Sequence, residues 1–177
     1  FAEELGPWPL GIYADTDAYV QSTTPTTNYG TGTGLLSKPS WNGAPDRIAY
    51  LGFDLSSIAG RTVTSAVLST ESMITDGTVD TARVDIHSTT GTWNETTLTY
   101  NNKPTLGATI GSFLVDRTRK YTTSDITPHL GTLATTNTPR LTIALTQDNP
   151  QASPPLIFTT SREHTNTPYI DITLAPA

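Results

Sequence analysis

An antiparallel β-sandwich or barrel of roughly ten short strands is the fold class that the sequence predicts. Three observations carry it. Residues that suit a pleated surface dominate, led by 36 Thr among 177 residues, and β-branched side chains fit such a surface well. Apolar and polar residues alternate with period two in several short runs. Clusters of Gly, Pro, Asn and Asp punctuate those runs at short intervals, and no window of about 12 residues holds a clean helical period.

The elements follow in order. Phe1 to Leu10 is apolar and carries Pro7 and Pro9, so it reads as an extended segment ahead of the first sandwich strand. The chain therefore divides into this segment, residues 1–10, and a single sandwich domain, residues 11–177. Arg47 to Phe53 sets Ala49, Leu51 and Phe53 on one face. Thr64 to Met73 sets Ala66, Leu68 and Thr70 against Ser65, Val67 and Ser69. Val84 and Ile86 alternate with Asp85 and His87. Asp125 to Leu130 suits one helical turn, because Ile126 and Leu130 are four apart. Leu141, Ile143 and Leu145 form the next alternation, and Ile170, Ile172 and Leu174 the last. Each strand is expected to keep one face in water.

Charge and composition exclude several functions. The formal net charge is −6, which argues against nucleic acid as a partner. No apolar run reaches the roughly 18 residues of a membrane span, so no membrane insertion is expected. There is no Cys, which removes disulfide scaffolds and zinc-thiolate sites. His87, His129 and His164 are isolated and form no metal pattern, and neither a nucleophile elbow nor a phosphate loop occurs. A non-enzyme is the expectation. Few Lys, abundant Thr and a chain that opens on Phe point to an extracellular or cell-surface location.

Five segments together resemble one family. They are Asp17-Ala-Tyr-Val20 with Asn28-Tyr-Gly30, Arg47 to Ser56, Thr62 to Leu68, Thr92-Trp-Asn-Glu to Pro104, and Ser161-Arg-Glu163 ahead of Pro168. The set is similar to the DNRLRE-type domain, grouped with the alginate-binding carbohydrate-binding modules of family ninety-six. The resemblance implies a jelly-roll-like β-sandwich without catalytic activity. It implies a module of a secreted or surface protein that binds polysaccharide or serves adhesion. An anionic polymer calls for a basic face, yet Arg117, Arg119 and Lys120 form the only tight basic group.

Candidate sites follow, each with a structural alternative. Trp93, Tyr100, Asn101 and Asn102 could stack on and hydrogen-bond a sugar; the alternative is a Trp93 that caps the core and a Glu95 that bonds backbone amides or an arginine. Trp41, in a turn-rich loop, is a second sugar platform or a side chain folded onto the sandwich end. Arg47, Asp54, Glu95, Arg162 and Glu163 are expected to be structural, with Arg162 pairing Glu163 or an aspartate such as Asp54. Asp15 and Asp17 alternate with Thr16, and two carboxylates facing one way could take a structural calcium ion. No other cofactor is expected. Two functions stand open: polysaccharide binding, and a fibre subunit in which Phe1, Leu5, Trp8 and Leu10 pair along a neighbouring copy by strand addition.

Overall fold

The computed structural model describes residues 7–77, 79–148, 150 and 153–176. Among them, eleven strands build two antiparallel sheets. The first holds β1 (Trp8–Tyr13), β3 (Gly34–Ser37), β5 (Val63–Ile74), β8 (Lys120–Asp125), β10 (Ile157–Thr160) and β11 (Tyr169–Leu174). The second runs β2 (Thr16–Gln21), β4 (Arg47–Asp54), β9 (Arg140–Thr146), β6 (Thr81–Thr89), β7 (Leu106–Asp116).

The long strand β5 organises the first sheet. Val67 lies opposite both Asp171 and Asp125, and Ser72 opposite both Thr159 and Lys120. Strand β8 therefore takes one edge of β5, while β11 and β10 follow each other along the other. The inward side chains of the predicted alternations meet between the sheets: Leu51 and Phe53, Leu68 and Ile74, Val84 and Ile86, Ile143 and Leu145, Ile170 and Ile172 are all buried in one cluster. Each such side chain contributes about 1.5–3 kcal/mol on burial.

Four findings depart from the sequence reading. First, β4 is buried on both faces, not one. Ile48 and Tyr50 point away from the main core yet join Ala18, Val20, Leu98 and Ala144 in a second apolar cluster. The irregular segment between β6 and β7 covers that face. Second, the helical turn extends to nine residues, α1 (Thr127–Thr135), with Leu130 and Ala134 buried. Third, Thr70 falls with Ala66 and Leu68 as its spacing predicts, but it is joined in the core by Ser72 and Thr159, which the spacing did not single out. Thr70, Ser72 and Thr159 are buried on the inner face of the first sheet, with hydroxyls 3.3 Å and 2.9 Å apart along the chain Thr70–Ser72–Thr159. Fourth, Trp8 to Leu10 already belong to a strand of this sheet. Trp8 pairs with Leu174 and Leu10 with Ile172, and Leu10 packs against the core while Trp8 is exposed. Phe1 and Leu5 of the proposed assembly segment lie outside the described residues.

Candidate functional site

The covering segment begins just after β6. Its Leu98 is buried against the outer face of β4 with Ile48 and Tyr50, and Trp93 and Tyr100 pack against the same cluster. Asn28 holds it down by donating its side-chain amide to the carbonyls of Glu95 at 2.7 Å and Leu98 at 2.8 Å. Asn94 Oδ1 accepts from the Thr96 amide at 2.8 Å and its hydroxyl at 2.7 Å. Asn102 spends both side-chain atoms inside the loop, accepting from the Thr99 N–H and donating to the Thr97 carbonyl. Asn101 is exposed. The Tyr100 hydroxyl donates to Asp46 at 3.0 Å, and burial together with that bond keeps it protonated to higher pH. Lys103 lies 3.7 Å above the Tyr100 ring. Asn102 is thus engaged by the loop itself, and Tyr100 by Asp46 and Lys103.

Trp93 differs. Its ring packs edge-on to Tyr50 at 6.1 Å, and its buried indole N–H has no partner within the protein. Trp93 also forms a wall of a cleft of about 390 Å3. Leu133 and Pro139 add apolar surface there, and Thr16, Thr89 and Thr142 supply hydroxyls. Thr89 donates to Thr142 at 2.7 Å. Arg140 lines the cleft but is neutralised by Asp15 and also donates to the Thr16 hydroxyl at 3.1 Å. His129, on α1, has its pKa lowered by burial, which favours the neutral imidazole. The cleft combines an indole, hydroxyls and a neutral ring nitrogen, the chemistry that stacks on sugar C–H faces and bonds their hydroxyls. Thr16, Thr89, His129, Arg140 and Thr142 come from four separate stretches of chain, so no local sequence signal could have found them.

The other sequence candidates lie elsewhere. Trp41 is exposed at the tip of a tight hairpin, bridged to Ala44 across Asn42 and Gly43, both at positive φ. Each member of the basic triplet faces a carboxylate. Arg117 pairs with Asp80, Lys120 with Asp116, and Arg119 with Glu71. Tyr13, Tyr169 and Tyr121 form a row on the outer face of the first sheet that sequence reasoning did not single out. Its rings tilt by 41° and 67° to one another, so they offer no flat platform.

Arg119 and Glu71 form a local network. Glu71, buried in β5, accepts from Arg119 at 2.6 Å, Thr160 at 2.8 Å and Asn166 at 2.6 Å. Burial alone would raise its pKa, but these donors outweigh it and hold the carboxyl below its ordinary value. A depressed carboxylate pKa stabilises the fold above the unfolded value and loses that contribution as pH falls through the folded one. Glu71→Gln is expected to cost about 2 kcal/mol at neutral pH and to flatten the stability loss on acidification. Urea unfolding at pH 7 and pH 3.5 checks both.

The structural residues gather in another cluster. Arg162 grips Glu95 with two bonds, Nε at 2.6 Å and Nη2 at 2.5 Å, and lies 3.4 Å from Glu163. Glu95 also accepts from the Asp17 N–H at 2.8 Å, and Asp17 Oδ2 accepts from the Arg162 N–H at 2.6 Å. The Arg162 donors hold Glu95 below its usual pKa against the opposing effect of burial. Asp17 is pushed up to about 7, first by burial and then by the charges of Glu163 and Glu95, against the Arg162 backbone bond. Two expectations are corrected. Asp54 does not pair with Arg162; it is exposed and accepts from the Ser56 N–H at 2.8 Å. Asp15 and Asp17 do not share a site, because Arg140 takes Asp15. Arg47 donates to Gln21 at 2.7 Å. Asp85, expected on a wet face, is buried by Arg83 and the Asp148 backbone, and His87 bonds Asp148.

The family model described as carbohydrate-binding module family 96 matches residues 10–174. No curated protein sequence matches the chain.

Proposed function

The chain belongs to carbohydrate-binding module family 96, and from that premise we propose that it binds an uncharged polysaccharide in the cleft beside Trp93. The Trp93 indole, which walls that cleft among hydroxyl side chains, carries the reading. Its ring can stack on a sugar C–H face there, and its buried N–H, which has no partner within the protein, is open to an acceptor once the ring shifts on binding. The charge pattern supports a neutral ligand. Arg140 is neutralised by Asp15, burial favours the neutral His129 ring, and Arg117, Arg119 and Lys120 each face a carboxylate. The net charge of −6 also repels a polyuronate. No helix of the described residues is long and apolar enough to cross a membrane; display outside the cell is supported by the family.

Affinity electrophoresis in gels containing neutral glucans, xylan or mannan, beside an alginate gel, tests the proposal. Retardation by a neutral polymer and none by alginate is the expected result. Trp93→Ala should weaken binding by about tenfold or more, with circular dichroism confirming the fold. Trp41→Ala should bind as wild type, because its hairpin adjoins the Arg47 end of β4 while the cleft adjoins the Gly52 end. Retention by alginate alone, or unchanged binding in Trp93→Ala, would overturn the reading.

A further inference from the structure

We propose that Asp17, Glu95 and Glu163 form a binding site for a divalent cation of the calcium class. One carboxylate oxygen from each lies within 4.8 Å of the others. Proximity among acids is common on surfaces, so a second observation is needed, and Asp17 supplies it. Its side chain is 1 % exposed. Its Oδ2 is satisfied by the Arg162 N–H, but its Oδ1 is buried with no hydrogen-bond partner. An anionic oxygen withdrawn from water and left without a donor is costly unless a cation or a proton meets it.

Charge counting points the same way. Three carboxylates face one guanidinium, that of Arg162, leaving two negative charges when all three acids are ionised. A divalent ion cancels them. Hard oxygen donors suit calcium or magnesium, and calcium tolerates irregular geometry completed by water. Solvent can supply that water, because Glu163 is an exposed residue at the mouth of the cluster. The ligands are also held from behind. Arg162 fixes Glu95 through two bonds and Asp17 through its backbone, and the Ser161 hydroxyl lies 2.9 Å from Glu163 Oε2. Such outer contacts orient metal-binding carboxylates. No residue of the site lines the Trp93 cleft, although Asp17 follows Thr16 and Glu95 shares a segment with Trp93, so calcium titration without sugar reads the site independently of sugar binding.

Isothermal titration of the chelator-treated protein with calcium chloride at pH 7.5 tests the proposal, with magnesium chloride as comparison. One calcium per chain is expected, with a Kd of about 0.1–1 mM, as in extracellular modules. Calcium should raise the melting temperature beyond sodium chloride of equal ionic strength. Asp17→Asn should weaken calcium binding by about tenfold or more. If that variant does not fold, Glu163→Gln serves instead, since its side chain is more exposed. No heat of binding and no thermal shift in the wild type up to about 10 mM calcium would overturn the proposal and assign the cluster to a proton shared between Asp17 and Glu163. Unchanged affinity in both variants would overturn it as well.

Discussion

Arg162→Ala should lower the unfolding free energy by about 3 kcal/mol at pH 7.5, measured by urea denaturation in the presence of a chelator. Removing one partner of a buried ion pair costs roughly 3–5 kcal/mol. Arg162 keeps 36 % of its side chain in water, and solvent screening trims the figure. What the variant leaves behind matters more than the bonds it loses. Asp17, Glu95 and Glu163 would face one another without a neighbouring counter-charge. The deficit should therefore shrink toward pH 5, as protonation relieves the repulsion. An equal deficit at both pH values would show that the guanidinium acts by packing and not by charge.

Gly30→Ala should be comparably damaging, at about 3 kcal/mol. A Cβ built on Gly30 would fall 2.0 Å from the Glu95 carbonyl oxygen and 2.8 Å from its carbon. Those atoms are backbone, and the Glu95 carbonyl is also the acceptor for Asn28. Relief would require the covering segment to lift off Ile48 and Tyr50. Overpacking usually costs about 1–3 kcal/mol, and an obstruction that no rotamer change can relieve belongs at the upper end. Gly11→Ala is the control. Nothing lies within 4 Å of its added carbon, so its effect should stay within about 0.5 kcal/mol. Equal melting temperatures for Gly30→Ala and Gly11→Ala would show that the covering segment is not clamped at this point.

These two positions also show where sequence reading reaches and where it stops. The inward faces of β4, β9 and β11 were legible because alternation is a local property, and Leu51, Ile143 and Ile172 reach the core as their spacing predicts. The outer burial of Tyr50 was not legible. Its cover, Trp93 and Leu98, comes from a segment more than forty residues further along the chain. Arg162 was recognised as structural, but spacing favoured its neighbour Glu163 or the motif residue Asp54. Its two-bonded partner is Glu95, 67 positions away. The same holds for Asp17, whose companions are Glu95 and Glu163 and not Asp15. The basic triplet reads as one patch in sequence. Its charges are offset because Arg117 and Lys120 each find an acid beside the turn from β7 to β8, while Arg119 reaches Glu71 on β5. Period and turn chemistry are encoded locally. Which charges meet is decided by strand order.

The buried hydroxyls of Thr70, Ser72 and Thr159 bear on how the shortest strands find their alignment. Strand β10 has only four residues, and it pairs with both β5 and β3, so backbone bonds alone discriminate weakly among neighbouring alignments. A shift of one residue would turn its inward side chains to the solvent side. A shift of two would set Ile157 opposite Ser72 and separate the matched hydroxyls, leaving polar groups stranded at about 1–3 kcal/mol each. A wholly aliphatic interior would forgive that slip. The polar match acts as a key that fits one offset, so part of this core is given to precision at the expense of apolar area.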